Sequence, residues 1–403
     1  MKRQKILFLT QLLPYPLNSG GKITIFKTLE FLAQNHEVDL VCHSWTRQDW
    51  SHEALFRRMV REFVMLDLKR KPPLPHFLLQ NLSGKPYFVF RDFSVAMETA
   101  VRQQLQKNTY DLIHADIFMM PYVPPRFPGK TILEKLNVEA ELVSRFRSLH
   151  RNPLAKVPLS IEAGNLWRFE LASSASVDLT ITLTEKDKQT LVSRGAEGRK
   201  ISVIPPGAKI DDIPPAELDL NSRDIVHIGT AHWPPNVDGL LWFAREVFPM
   251  VLKAVPDARL KIIGKEPPRR INQLHDGKHI FVLGYVEDLD EIYRQTGVFI
   301  VPLRMGGGIR IKILEALAQG MPIVTTSVGC EGIGAEPGRH LLIGDTAEEF
   351  ARFTVELLLD PALRKKLGGE GRDFVRSRFG RDVRNRRLTE LIGAWGGEAA
   401  DAS

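Results

Sequence analysis

Residues 305–326 read MGGGIRIKILEALAQGMPIVTT. Gly306, Gly307 and Gly308 run through Ile309 into a short helix that opens with Arg310 and Lys312, and then into an apolar strand. Without Cβ atoms the glycines let backbone N–H groups approach a ligand closely. A helix N-terminus adds unpaired N–H donors carrying about half a positive charge. Two cations at that end oppose the helix dipole, at a cost of up to about 1 kcal/mol each, which a bound anion offsets. The chemistry this spacing predicts is the holding of a phosphate or diphosphate.

The helix expected over Ile311–Gln319 buries Ile311, Leu314 and Leu317 or Ala318, leaving Glu315 on a different stripe. A carboxylate one turn into such a helix can accept ribose hydroxyls while the helix end holds phosphates, the arrangement a sugar nucleotide needs. The plainer alternative is a solvated Glu315 paired with Arg310 or Lys312.

Other residues have the type and place for chemistry. Gly20 and Gly21, in PLNSGGK after the first strand, either let backbone meet a donor diphosphate or an acceptor, or make a tight turn. His114 and Asp116 end the strand LIHAD, at the edge where open α/β sheets bind ligands; a capped core histidine is the alternative. Asn137 and Glu139 follow TILEKL and either position an acceptor hydroxyl or pack a domain edge. Asp288 and Asp290 spell the D-x-D of metal-dependent transferases, but they stand at the expected start of an amphipathic helix, where negative charge suits the dipole. Cys42 and Cys330 are far apart and in no metal-ligand spacing, which suggests neither a disulfide framework nor a zinc site and fits a reducing cytoplasm.

Short apolar β-rich runs alternate with helical patterns throughout, the grammar of parallel sheets wound with crossover helices. Strands are expected at KILFLT, EVDLVCH, LIHAD, KTILEK, DLTITLT and SVIPPG in the first half. In the second half they fall at DIVHIGT, RLKIIG, IFVLGYV, VFIVPL and PIVTT. The 403 residues exceed one ordinary core. The expected α/β architecture is two Rossmann-like domains facing across a cleft: residues 1–205, a Pro-rich linker at 206–223, a second domain at 224–375, and a helical tail at 376–403 that packs back on the body. The opening MKRQKILFLTQLLPYPL reads as a buried strand and loop before a helix at Lys22–Gln34, because Pro14 and Pro16 interrupt it as a signal peptide.

The net charge of +7 favours acidic partners. No run approaches the roughly 20 apolar residues of a membrane span, so membrane contact is expected to be peripheral. The stretch LFRRMVREFVMLDLKRKPPLPHFLLQ sets Arg57, Arg58, Arg61, Lys69, Arg70 and Lys71 beside Phe56, Phe63, Phe77 and Leu78. It suits an anionic bilayer surface if those apolar residues are exposed, and an ordinary charged helix face if they are not. No nucleic-acid module is apparent.

The segment VPLRMGGGIRIKILEALAQGMPIVTTSVGCEGI resembles the donor-binding segment of the family 4 retaining glycosyltransferases of GT-B architecture, in the branch that writes it G-x-G-x-R-x-K-x-L-E-A. The resemblance extends in order through PYPLNSGGKITIFKTLEFLAQNHEVDLV, NVEAEL and VIPPGA. It implies a metal-independent hexosyltransferase moving a sugar, with retention, from a nucleoside-diphosphate sugar, UDP-sugars favoured, to a glycan or lipid-linked acceptor. It also implies cell-surface or exopolysaccharide synthesis, a cytoplasmic place with possible contact at the inner face of the membrane, and no separate cofactor.

Under the resemblance Arg310 and Lys312 neutralise the diphosphate and Glu315 binds ribose. Gly306–Gly308 and Ile309 cradle the donor, with Gly20, Gly21, Gly229 and Thr230. Val286 flanks the base, and His114, with Asp116, Asn137 and Glu139, serves the acceptor side. Two departures stand out: Gly307 occupies the position of a first glutamate in many members, and HIGTAHWPPNVDG lacks their arginine and lysine pair. They keep open a catalytically silent sugar-nucleotide binder. A NAD-dependent oxidoreductase is disfavoured, since no G-x-G-x-x-G follows the first strand.

Overall fold

The structure, a computed structural model, describes residues 3–68, 77, 80–149, 152–206 and 210–398. It divides into two compact units, residues 1–207 with 384–403, and residues 208–383.

The first unit holds a seven-stranded parallel sheet in the order β3-β2-β1-β4-β5-β6-β7. Its strands are β1 (Lys5–Leu12), β2 (Glu37–Ser44), β3 (Glu62–Asp67), β4 (Leu112–Asp116), β5 (Lys130–Lys135), β6 (Leu179–Thr182) and β7 (Ile201–Val203). Four successive β1 residues, Ile6, Leu7, Phe8 and Leu9, are buried. Helices therefore cover both faces, which is why these strands read as continuous apolar runs without alternation. The helix after β1 spans Gly20–Asn35 and is capped by Ser19, whose hydroxyl accepts from the Lys22 N–H. From Arg384 onward the last helix, Arg381–Glu398, belongs to this unit, with Leu388 and Ile392 in the same core cluster as Leu29 and Leu32.

The basic segment takes its plainer reading where it is described. Phe56 and Phe63 are buried and stacked at 5.6 Å, Arg57 pairs with Glu53, and Arg61 pairs with Asp39. Phe77 packs edge-on against Tyr87. Lys69, Arg70, Lys71 and Leu78 lie outside the described residues.

The second unit is a six-stranded parallel sheet in the order β10-β9-β8-β11-β12-β13. Its strands are β8 (Asp224–Ile228), β9 (Arg259–Ile263), β10 (Ile280–Gly284), β11 (Thr296–Val301), β12 (Ile323–Thr325) and β13 (Leu342–Ile343). The stretch before β8, read from sequence as a linker, packs on this unit. Ala216 N–H donates to the Gln319 carbonyl at 2.9 Å and Asp219 N–H to that of Arg294 at 2.8 Å, while the buried Arg364 donates to the Ser222 carbonyl.

Both sheets begin in their middle and grow first to one side and then to the other. The strand order therefore reverses between β1 and β4, and between β8 and β11. At such a switch point the two following loops part in opposite directions and leave a crevice at the carboxyl ends of the strands.

Candidate functional site

In the second unit the crevice is flanked by the loop after β8, starting at Gly229, and the loop after β11, ending at Arg310. The latter turns sharply: Gly306 has φ 116° and Gly308 φ 74°, conformations that side chains rarely adopt. A Cβ on Gly306 would also meet the Arg310 guanidinium at 2.7 Å. Arg310 is buried, donates to the Gly307 carbonyl and lies 5.6 Å from the centroid of Trp233. Cation and loop are thus built together, with the indole as the outer wall.

Arg310 is the N-cap of the helix Ile311–Ala318. Ile311, Ile313, Leu314, Ala316, Leu317 and Ala318 are buried, whereas Lys312, Glu315 and Gln319 are half-buried. Spacings of three and four put these three residues on one stripe, so ammonium and carboxylate share the open face. The Lys312 Nζ donates to Asn236 Oδ1 at 3.0 Å. Asn236 is itself fixed, its Nδ2 donating to the Thr230 carbonyl at 2.9 Å. Burial, and then the Arg310 charge, push the Lys312 ammonium down to about 7. A buried cation short of counter-charge is a ready partner for an anion. Glu315 lies near Tyr293, whose hydroxyl pKa is raised mainly by burial and in part by that carboxylate.

Gly229 and Thr230 lie at the end of β8. A Cβ on Gly229 would sit 3.2 Å from Lys312 Nζ, 3.2 Å from Asn236 Nδ2 and 3.4 Å from His227 Nε2, so the glycine gives these groups their room. Val286 is half-buried in the loop after β10. Asp288 accepts from the Asp290 N–H, and Asp290 opens the helix Asp290–Arg294. Among the described residues no three His, Cys, Asp or Glu side chains converge as metal ligands.

In the first unit several expectations change. Gly20 and Gly21 form the first turn of a helix, and Gly21 packs closely on Leu136, where a Cβ would meet Cδ1 at 3.0 Å. His114 does not open into an acceptor crevice. It is 1% exposed, stacks on Phe8 at 4.7 Å, and its Nε2 meets Glu134 Oε2 at 2.9 Å. Burial alone would raise the Glu134 carboxyl, but the His114 hydrogen bond and the Arg384 charge outweigh it and hold the group at about 2. Asp116 is likewise a buried fastener. It accepts from Gln11 N–H, Thr10 Oγ1, and the N–H groups of Phe118 and Met119. Burial nonetheless pushes its carboxyl up to about 6.

Asn137 and Glu139 fare differently. Both are half-buried beyond the carboxyl end of β5, with the Asn137 amide 3.5 Å from Glu139 Oε1. Burial and the nearby Glu170 charge push Glu139 up to about 7. Glu170 is held by Lys135 at 2.8 Å and by the Glu139 N–H at 2.8 Å. A carboxylate near neutrality is suited to exchanging a proton with a hydroxyl.

Sequence reasoning missed His227, Trp233 and Asn236 in the second unit and the Lys135–Glu170 pair in the first. His227 left a signal, as a polar residue within the apolar run DIVHI two positions before a glycine.

Residues 222–360, all within the second unit, match the family model described as "Glycosyl transferases group 1". An uncharacterized 44.6 kDa protein in the cps region of Klebsiella pneumoniae is 25% identical over 393 residues, covering 93% of this chain and 96% of that protein. A GDP-mannose-dependent monoacylated alpha-(1-6)-phosphatidylinositol monomannoside mannosyltransferase of Corynebacterium glutamicum is 28% identical over 159 residues, covering 36% of this chain and 42% of its own. Among solved structures, Anabaena Alr3699/HepE in complex with UDP superposes with a TM-score of 0.65 at 12% identity, covering 97% of this chain and all of that one. The two parallel-sheet α/β domains are those of the GT-B glycosyltransferase fold.

Proposed function

We propose that this protein is a glycosyltransferase of the group 1 type that takes a sugar from a nucleoside-diphosphate sugar and gives it to a glycan or lipid-linked acceptor in cell-surface polysaccharide assembly. One observation carries this reading. Lys312, short of counter-charge, and Glu315 share the open stripe of a helix whose N-terminus meets the Gly306–Gly308 loop at the sheet's switch point. Ribose at Glu315, diphosphate at Lys312 and sugar at the glycine loop then follow the stripe and loop in order, with the base beside Val286.

As the anomeric bond breaks, negative charge grows on the leaving diphosphate. Fixed donors whose grip strengthens during that change lower the barrier. Lys312, Arg310 and the glycine-loop N–H groups are those donors. Under the sequence resemblance Gly307 takes the place of a glutamate, so in this reading the sugar is held by loop backbone and Arg310. The reading includes retention by front-face attack without an enzyme nucleophile or a metal ion, with Glu139 and Asn137 meeting the acceptor hydroxyl. Of the named proteins one is GDP-mannose-dependent and one is solved in complex with UDP; the UDP-sugar remains the favoured donor.

The test is release of nucleoside diphosphate from UDP-, GDP- and TDP-sugars with polyprenyl-linked saccharide acceptors. Acceptor-dependent release from one donor is expected. Binding without release for any acceptor or water would replace the enzyme by a silent sugar-nucleotide binder.

Peripheral membrane contact, part of the same reading, fits the helices Glu139–Leu149 and Pro153–Ser176 better than the segment around Phe56. Leu154 (80% exposed), Val157 (60%) and Ile161 (44%) fall on one helix side, and Phe146 is exposed on the neighbouring helix. Arg147 donates to Ser160 Oγ of the second helix at 3.1 Å, which brings a basic group to the apolar ones, the pairing that anionic bilayers bind. Co-sedimentation with phosphatidylglycerol vesicles at low salt is expected, and Leu154→Asp with Val157→Asp should reduce it several-fold. Equal recovery of both proteins in the supernatant would sink the idea.

A further inference from the structure

His227 is 1% exposed on β8. Its Nδ1 lies 3.1 Å from the Ile300 carbonyl oxygen. A carbonyl only accepts, so Nδ1 carries the hydrogen and Nε2 of the neutral ring presents a lone pair. That Nε2 is buried and has no hydrogen-bond partner, an unusual state for a buried polar atom. It faces the space over the Cα of Gly229, into which Lys312 Nζ also reaches. The ring stays neutral because burial, and secondarily the Lys312 charge, lower its pKa well below the ordinary value. The charged groups facing it are Lys312 on the helix Ile311–Ala318 and, behind it, the N-cap Arg310. β11 offers the ring only a backbone carbonyl, and the helix Pro234–Trp242 brings the uncharged Asn236.

We propose that His227 and Asn236 are positioning residues for Lys312, the imidazole lone pair accepting one ammonium hydrogen and the Asn236 carbonyl a second, so that the third points at a phosphate oxygen of the donor. An ammonium has three donors and no acceptor; committing two of them to fixed partners fixes the third. Such a pre-aimed ammonium stabilises a developing anion without reorganising as charge grows. A Cβ at Gly229 would crowd both Lys312 Nζ and His227 Nε2, at 3.2 and 3.4 Å, so the glycine leaves the ammonium and the ring room to meet. This inference rests on the nucleoside-diphosphate reading of the site and adds to it two residues that act through Lys312 without touching the substrate.

The lone pair favours the charged lysine, so removing it makes the proton harder to hold. The probe is UDP, titrated by calorimetry between pH 6 and 9, with GDP in parallel. Wild-type affinity falls as pH rises through the Lys312 midpoint. In His227→Asn the amide nitrogen replaces Nδ1 on the Ile300 carbonyl, but no acceptor reaches the ammonium. The midpoint is expected to move acidward by about one pH unit, with about tenfold weaker binding at pH 8. His227→Gln, whose carbonyl reaches toward the Nε2 position, restores the midpoint at least in part. A merely structural role would lower affinity at all pH values and leave the midpoint in place, and that result overturns the proposal. If the histidine variants do not fold, Gly229→Ala displaces the same ammonium from the other side and should weaken UDP binding about tenfold; unchanged affinity contradicts the cradle. No binding of either diphosphate by wild type overturns the donor-site reading itself, and the cradle with it.

Discussion

Replacing Lys312 by alanine is expected to cut donor turnover by about 10² to 10³, the usual loss for one donor aimed at transition-state charge. The protein should stay folded. Lys312 sits where burial and Arg310 already disfavour its charge, so its removal relieves that cost while deleting its hydrogen bond to Asn236. Its folded pKa is depressed below 10.5 to about 7. Between these values the unfolded chain binds more protons, and the native state gains stability as pH rises. That pH-dependent term should vanish in the variant. A bound diphosphate favours the protonated lysine, so in wild type donor affinity has the opposite slope and weakens above neutral pH. Rate and melting temperature measured together check the claim: a large rate loss with a melting temperature that holds or rises is expected, and a melting temperature that collapses with the rate would make Lys312 a structural residue.

Arg384→Ala is expected to cause the largest loss of stability of any single change considered, about 3–5 kcal/mol, by leaving a buried charge uncompensated. Arg384 is 2% exposed. It donates to Glu134 at 2.9 Å, to the Pro205 carbonyl at 2.5 Å and to Thr28. Glu134 is 2% exposed and has His114 on its other oxygen. Without Arg384 the carboxylate keeps only His114 and Thr28, and the last helix loses the contact that pins it to the first unit. The pH dependence follows from the depressed carboxyl. The stabilisation is complete above the ordinary value of 4.5 and is lost as pH falls through about 2. Denaturant melts at pH 7 and pH 3 check this. The deficit of Arg384→Ala should be large at pH 7 and smaller at pH 3. A deficit under about 1 kcal/mol at pH 7, the range of an exposed pair, would contradict the account.

The same network shows why the sequence was legible in part. The anion loop could be read because its parts are neighbours in the chain: Gly306, Gly307, Gly308, Arg310, Lys312 and Glu315 fall within ten residues. Most strands could be read because both faces of a central parallel strand are apolar, as at Ile6 to Leu9. β3 was hidden. It is an edge strand with alternating burial, and Arg57, Arg58 and Arg61 before it drew attention to charge in place of periodicity.

His114 was misplaced for a different reason. The end of a strand can be identified in a sequence, but not whether its side chain turns into the core, and Glu134 and Arg384, which hold it there, lie 20 and 270 positions away. His227 and Asn236 were missed because β8 and β11 become neighbours only in the folded sheet, which brings Lys312 over Gly229. Residues that act together through long-range contacts leave little local pattern to read.

The measurement that bears most directly on the central claim is calorimetric titration of UDP into the wild-type protein and into Lys312→Ala, with GDP and NAD as comparators. The account predicts that a nucleoside diphosphate binds wild type and that the variant loses most of that affinity while keeping its fold. At about 100 times its Kd that ligand should also stabilise wild type by about 2.7 kcal/mol. Binding of NAD alone, or equal diphosphate affinity in the two proteins, would contradict the assignment of Gly306–Lys312 as the donor site.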